Sequence, residues 1–164
     1  MTGTVEIGGP RPGDFGWLIG LHGRWYAERM GFGVDFERRI ATIVADVAAR
    51  LAPPRVTMLV ARDPQGPLAT LTADADDPDA AGRGHIRIVI AEERAKGRGL
   101  GKRLMAMGLE SLSVSGSTGA WLDTCKGLDA ARAVYLDAGF RLVAEAEGDN
   151  WGVHVVEQRY ELDF

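Results

Sequence analysis

Between Arg94 and Arg103 the chain sets three glycines among cations, Arg94-Ala95-Lys96-Gly97-Arg98-Gly99-Leu100-Gly101-Lys102-Arg103, between a strand and a helix. Before it, His85-Ile86-Arg87-Ile88-Val89-Ile90 is rich in β-branched residues; after it, Leu100, Leu104, Met107, Leu109 and Leu112 are spaced as on a helix. The order is strand, glycine turn, helix. The first amides of such a helix have no carbonyl partner and point outward together, while the helix dipole adds partial positive charge, so the turn is suited to an anion. Without a Cβ at Gly97, Gly99 and Gly101 the backbone is free to take φ > 0 and a phosphate can approach the main chain closely.

Two nucleotide loops are excluded by spacing. A Walker A loop needs G-x-x-x-x-G-K-[ST]; from Gly97 the spacing to Lys102 is wrong, and Arg103 stands where the hydroxyl belongs. A dinucleotide fingerprint needs G-x-G-x-x-G, and Gly97-Arg98-Gly99-Leu100-Gly101-Lys102 lacks the third glycine. The net charge of −4 makes the basic turn a local exception and argues against nucleic acid as the main partner. A phosphate-bearing small molecule fits that contrast.

The flanking chain reads as an alternation of helices and strands. Val5-Glu6-Ile7 is a short strand, and Pro12-Gly13-Asp14 a turn with an N-cap. Helices are expected over Phe15–Met30 and Phe36–Leu51, joined through Gly31-Phe32-Gly33. Pro53-Pro54 ends the second, and Val56–Ala61 and Leu68–Thr72 form a hairpin about Asp63-Pro64-Gln65-Gly66. The loop Asp74–Gly84 carries four aspartates that are expected to solvate it, since the closing glutamate of an EF-hand is absent. After the central helix come a strand at Ala120–Asp123, a helix at Leu128–Ala138 stopped by Gly139, and a closing hairpin. Its strands are Phe140–Ala144 and Val153–Val156, the second continuing through Tyr160-Glu161-Leu162. With 164 residues, 46% of them hydrophobic, one domain over residues 1–164 is expected. The lone Cys125 allows no intrachain disulfide and no C-x-x-C metal pattern. The N-terminus from Met1 has no leader pattern and no apolar stretch spans a bilayer, so a cytoplasmic protein without a membrane partner is expected.

The residue pattern left at the turn is R-x-x-G-x-G, on Arg94, Gly97 and Gly99. It resembles the coenzyme A pyrophosphate loop of the GCN5-related N-acetyltransferases, the GNAT family. Ala131-Arg132-Ala133-Val134-Tyr135-Leu136-Asp137-Ala138-Gly139-Phe140 likewise resembles that family's A-x-x-x-Y-x-x-x-G-F, and the element order β-α-α-β-β-β-α-β-α-β-β matches its fold from end to end. The segments His22–Glu28 and His154–Leu162 also look like the acetyltransferase half of bacterial proteins that fuse a MarR-type regulator to a GNAT domain.

The resemblance implies an α/β (α+β) fold with a mixed, mostly antiparallel sheet of about seven strands flanked by helices. It implies an acyl-CoA dependent N-acetyltransferase that uses acetyl-CoA and no metal; a non-catalytic acyl-CoA sensor is the alternative. Arg94, Lys96, Gly97, Arg98, Gly99, Leu100, Gly101 and Lys102 would hold the cofactor's pyrophosphate, and the backbone of Ile88, Val89 and Ile90 its pantetheine arm. Tyr135 matches the family's donor to the departing thiolate, its ordinary pKa near 10 keeping it protonated at neutral pH. Asp123 stands where several members carry a glutamate that drains the amine's proton through water; capping of the next loop is its other reading. Glu92, Glu93, Glu28, His22 and His154 remain as bases, while His85 lies early on its strand. Cys125 reads as a small semi-buried residue without chemistry. His22, Trp25, Tyr26 and His154, with Trp17, Phe32 and Trp151 near them, would line the site of a small-molecule or peptide amine. A homodimer is compatible with all of this.

Overall fold

The structure, a computed structural model, describes residues 3–164; Met1 and Thr2, with which the N-terminal stretch begins, lie outside them. Seven strands form one sheet: β1 (Glu6–Gly8), β2 (Val56–Asp63), β3 (Gly66–Asp74), β4 (Gly84–Ala91), β5 (Gly119–Cys125), β6 (Arg141–Gly148) and β7 (Val155–Asp163). Four helices accompany them: α1 (Asp14–Met30), α2 (Val34–Ala49), α3 (Leu100–Val114) and α4 (Asp129–Asp137). The sheet runs β1-β2-β3-β4-β5-β7-β6, and only β4 and β5 pair in parallel. The expected element order and mixed, mostly antiparallel sheet are what the chain adopts, with an added 3-10 turn at Glu93–Ala95 that no periodicity announced.

Helices cover both faces, so β2 and β3 are buried along most of their length, whereas β4 alternates buried with half-buried residues. Along β2, Val56, Met58 and Val60 join Leu18, Phe36, Ile40, Val44 and Val47 of α1 and α2, while Leu59 and Ala61 join Leu104, Met105 and Leu112 of α3. Each such Val, Leu, Ile, Met or Phe side chain withdrawn from water contributes about 1.5–3 kcal/mol. The buried face of α3 differs by one step from the expected one. Met105 and Gly108 point inward and Met107 is 38% exposed, because Gly108 lies against Leu71 of β3 where a larger side chain would collide.

Within the Pro12-Gly13-Asp14 turn the cap of α1 is Gly13, at φ 94°. Asp14 is the first helical residue and is buried; its carboxylate accepts from the Arg11 amide at 2.7 Å and pairs with Arg62 of β2 at 2.6 Å. The acidic loop is also not merely solvated. Asp74 is fully buried on Arg50 (2.7 Å), Asp76 pairs with Arg55, Asp77 bonds His85 and Arg87, and Asp79 bonds Arg83 and Arg159. Arginines from distant strands and from the C-terminal cap of α2 thus hold the loop across the N-terminal end of β4, a use of its charge that its own sequence does not disclose.

Two irregularities open the sheet. Strands β4 and β5 pair only at Gly84↔Ala120 and His85↔Trp121, although both run on for several residues. Against β3, the register of β4 shifts between Thr70↔Ile90 and Thr72↔Arg87, so two residues oppose Leu71 alone. Ile88 sits in that bulge at φ 56°, a strained backbone for a β-branched residue. It flips the alternation: Ile86 packs in the α3-side core, Ile88 in the α1/α2-side core, and Val89 against the α3 side again.

Candidate active site

The glycine turn follows directly on β4. Gly97 and Gly99 have φ of 73° and 68°, the left-handed region that glycine enters without strain, and a Cβ on either would project into open space. Among the described residues the amides of Gly97, Gly99, Leu100, Gly101 and Lys102 find no backbone acceptor. They form an outward-facing cradle at the N-terminus of α3, where the dipole is positive.

The side chains of this segment divide otherwise than their charge suggests. Arg94 and Arg98 both reach back to Asp63, at 2.8 and 2.9 Å, and Arg94 also bonds the Pro67 carbonyl. The two guanidinium groups therefore fasten the turn to the β2–β3 hairpin. Leu100 is in the core, and Gly101 lets α4 approach, a Cβ there falling 3.1 Å from Val134. Lys96 is exposed beside Glu93, and Lys102 pairs with Asp137. The two arginines hold the Asp63 carboxyl down to about 2. A carboxylate lowered on folding contributes stability that is complete above its unfolded value near pH 4 and is lost as pH falls through about 2. Acid unfolding followed from about pH 5 to 2 is expected to show the gap between wild type and Asp63→Asn closing over that range.

Where β4 and β5 diverge, the amides and carbonyls of β4 beyond His85 have no strand partner on the β5 side. The gap continues into a cavity of about 270 Å³ that passes between the two layers. Tyr26, Phe36 and Ile40 line it from the α1/α2 side, Tyr135 of α4 from the other, with His85, Arg87 and Asp123 along the strands. Tyr135 is 5% exposed, its ring against Phe140 and Tyr160, and among the described residues its hydroxyl has no hydrogen-bond partner. Burial raises its pKa, with Cys125 and Tyr160 adding to the rise, so the phenol keeps its proton. A second cavity of about 250 Å³, on the α4 side, shares Tyr135 and Cys125 with the first. Burial likewise raises Cys125, the reverse of what a reactive thiolate needs.

Asp123 lies at the cavity with its pKa pushed up by desolvation, opposed by His85 and Arg159. Of the residues expected around an acceptor, His22 and Tyr26 line the cavity, as do Phe32 and Trp151. Trp25 and His154 do not. Trp25 is half-buried between Tyr26 and Arg29, and His154 is exposed on the β6–β7 hairpin with Asp149 at 2.9 Å. Glu92 and Glu93 are drawn away by Trp17 and Arg29. Conversely, His85 reaches the cavity although it is early on its strand, because the side chain follows the same alternation as Arg87. That alternation was visible in the sequence; the position of the splay was not.

The family model described as Acetyltransferase (GNAT) family matches residues 24–140. No curated protein matches the chain significantly. Among solved structures, yncA from Salmonella typhimurium, with its cofactor acetyl-CoA, superposes with a TM-score of 0.75 at 13% identity, over 97% of this chain and 93% of that one. A GNAT-family acetyltransferase from Streptococcus pneumoniae gives 0.72 at 18% identity, covering 98% and 100%. A ribosomal-protein-alanine N-acetyltransferase from Brucella melitensis gives 0.73 at 16%, covering 97% and 99%. At such identities these likenesses speak to the fold.

Proposed function

The chain belongs to the GNAT acetyltransferase family, and on that premise we propose that it moves an acetyl group from acetyl-CoA to a primary amine by direct attack in a ternary complex. The observation that carries this reading is the continuity of three features. An open amide cradle lies at the start of α3, an unpaired β4 edge runs beside it, and a buried phenol stands at the cavity that the edge leads into. The residues present fit the cosubstrate: the cradle suits a pyrophosphate, and the free edge of Ile88–Ile90 suits the amides of a pantetheine arm. The side chains of Ile88 and Ile90 are buried and Val89 packs against the α3-side core, which leaves the main chain as the binding groups.

In this reading the cation side chains play unequal parts. Arg94 and Arg98 shape the loop by holding Asp63, and Lys96 and Lys102 contribute screened charge near the phosphates. Tyr135 donates its hydroxyl proton to the thiolate that leaves as the amide forms. Asp123 presents a carboxylate to the incoming ammonium, with His22 and Tyr26 shaping the wall of its site. His22 gives its Nδ1 proton to the Leu18 carbonyl at 2.8 Å, and burial lowers its pKa to about 4, so it offers the amine a neutral acceptor nitrogen. The finer likeness to regulator-fused acetyltransferases rests on residues 22–28 and 154–162 alone, and it assigns no acceptor.

Calorimetry with acetyl-CoA, CoA and ATP tests the donor half. Binding of the first two with little affinity for ATP is expected, because the pantetheine edge adds to the phosphate cradle; ATP binding without CoA binding would contradict it. An acyl-CoA sensor would bind acetyl-CoA in the same way and release no thiol with any amine.

A further inference from the structure

Resting on the acyl transfer proposed above, we infer that His85 takes the proton of the incoming ammonium and that Asp77 is the residue that positions it. His85 Nδ1 lies 2.8 Å from Asp77 Oδ2. A carboxylate only accepts, so Nδ1 carries the hydrogen and Nε2 is left with the lone pair. The imidazole lies flat on the indole of Trp121, ring centres 3.6 Å apart and planes 13° apart. Arg159 of β7 stands 4.5 Å from the same indole, so β4, β5 and β7 together hold the ring in one plane. Among the described residues Nε2 has no partner, and His85 lines the cavity shared with Asp123 and Tyr135. An imidazole with one nitrogen fixed by a carboxylate and the other free toward a reaction cavity is the arrangement that proton abstraction needs.

The surrounding charges favour this assignment over the other histidines. His85 is faced by Asp77 from the loop, Arg87 from its own strand and Asp123 from β5, with Arg159 beyond Trp121. Arg87 is itself held by Asp77 and Asp74, and α1 and α2 present His22, Tyr26 and Arg39 to the same cavity. Burial and Arg87 lower the imidazole pKa, while Asp77 and Asp123 oppose them, and the net result is a ring that is neutral near pH 7. His22 is too weak a base, and His154 is outside the cavity.

Nε2 takes one proton from R–NH3+, and the lone pair freed on nitrogen forms the C–N bond to the acyl carbon. The C–S bond breaks, the thiolate takes the Tyr135 proton, and the nitrogen's second proton restores the phenol. His85 then returns its proton to solvent, giving amide, thiol and one H+ per turnover.

The test compares wild type, His85→Asn and Asp77→Asn using a primary alkylamine that supports thiol release, with kcat/KM followed against pH. Asparagine keeps an N–H for Asp77 but removes the basic nitrogen. His85→Asn is expected to be about 100-fold slower near neutral pH, with the deficit shrinking as the free amine accumulates at high pH. Asp77→Asn should move the acid limb of the profile to lower pH, since the carboxylate that favours the imidazolium is gone. A deficit constant with pH in His85→Asn, or an unmoved acid limb in Asp77→Asn, overturns the inference. Acetyl-CoA affinity should be unchanged in both variants; failure of the wild type to bind it would instead contradict the acyl-CoA reading. If no amine is turned over, nitrogen-15 NMR of the imidazoles decides: a neutral His85 with hydrogen on Nδ1 supports the inference. A proton on Nε2 near pH 7 overturns it.

Discussion

Replacing Tyr135 by phenylalanine is expected to slow turnover about tenfold to a thousandfold while acetyl-CoA binds almost as before, a loss of about 1.4–4 kcal/mol of transition-state stabilisation. The substitution removes one oxygen and leaves the ring against Phe140 and Tyr160, so the fold should scarcely register it. What disappears is a cavity-facing O–H whose raised pKa keeps the proton in place until charge appears on sulfur. That charge is absent in the ground state, and binding therefore has little to lose. Wild-type turnover in the variant, with chemistry shown to be rate-limiting, would exclude Tyr135 as the donor.

Gly99→Val should act on binding. At φ 68° a β-branched residue is strained by about 1–2 kcal/mol, and because its Cβ meets open space the stability loss should stop near that figure. The same open space is where the pyrophosphate would sit. Displacing it from even one amide forfeits a charge-assisted hydrogen bond of about 1.5–3 kcal/mol, roughly 10- to 150-fold in CoA affinity. Calorimetry on the folded variant checks this, and an unchanged affinity would remove the loop from the binding site. Arg94→Ala is different in kind. It frees Asp63 and loosens the hairpin anchor, so its effect on affinity should be smaller and should be accompanied by a drop in stability.

How far such features were legible depended on whether their causes are local. The strand, the left-handed glycines and the helix start are set by neighbours in sequence, and Arg94 to Arg103 announced all three. The partners of its arginines were not readable, because Asp63 lies 31 and 35 residues away and its carboxylate is met only after β2, β3 and β4 pair. The same holds for the aspartates at and after the end of β3, whose arginines come from the residue that follows α2, from β4 and from β7. Helical spacing identified α3 but chose Met107 over Met105, since a period of 3.6 leaves neighbouring faces close and the tie is broken by the contact of Gly108 with Leu71. For the candidate site, the A-x-x-x-Y-x-x-x-G-F pattern singles out Tyr135, which lines the cavity. The place of His85 at the cavity depends on where β4 parts from β5, a product of tertiary pairing that no local pattern carries.

The most direct measurement of the central claim is transfer itself: acetyl-CoA with an isotopically labelled acetyl group, incubated with the protein and a panel of primary amines, with thiol release and labelled amide quantified together. The account predicts that at least one amine yields amide and thiol in a one-to-one ratio, both strongly reduced in Tyr135→Phe. Tight acetyl-CoA binding with no labelled amide across small amines, amino acids and peptide N-termini would contradict it and make the chain an acyl-CoA sensor.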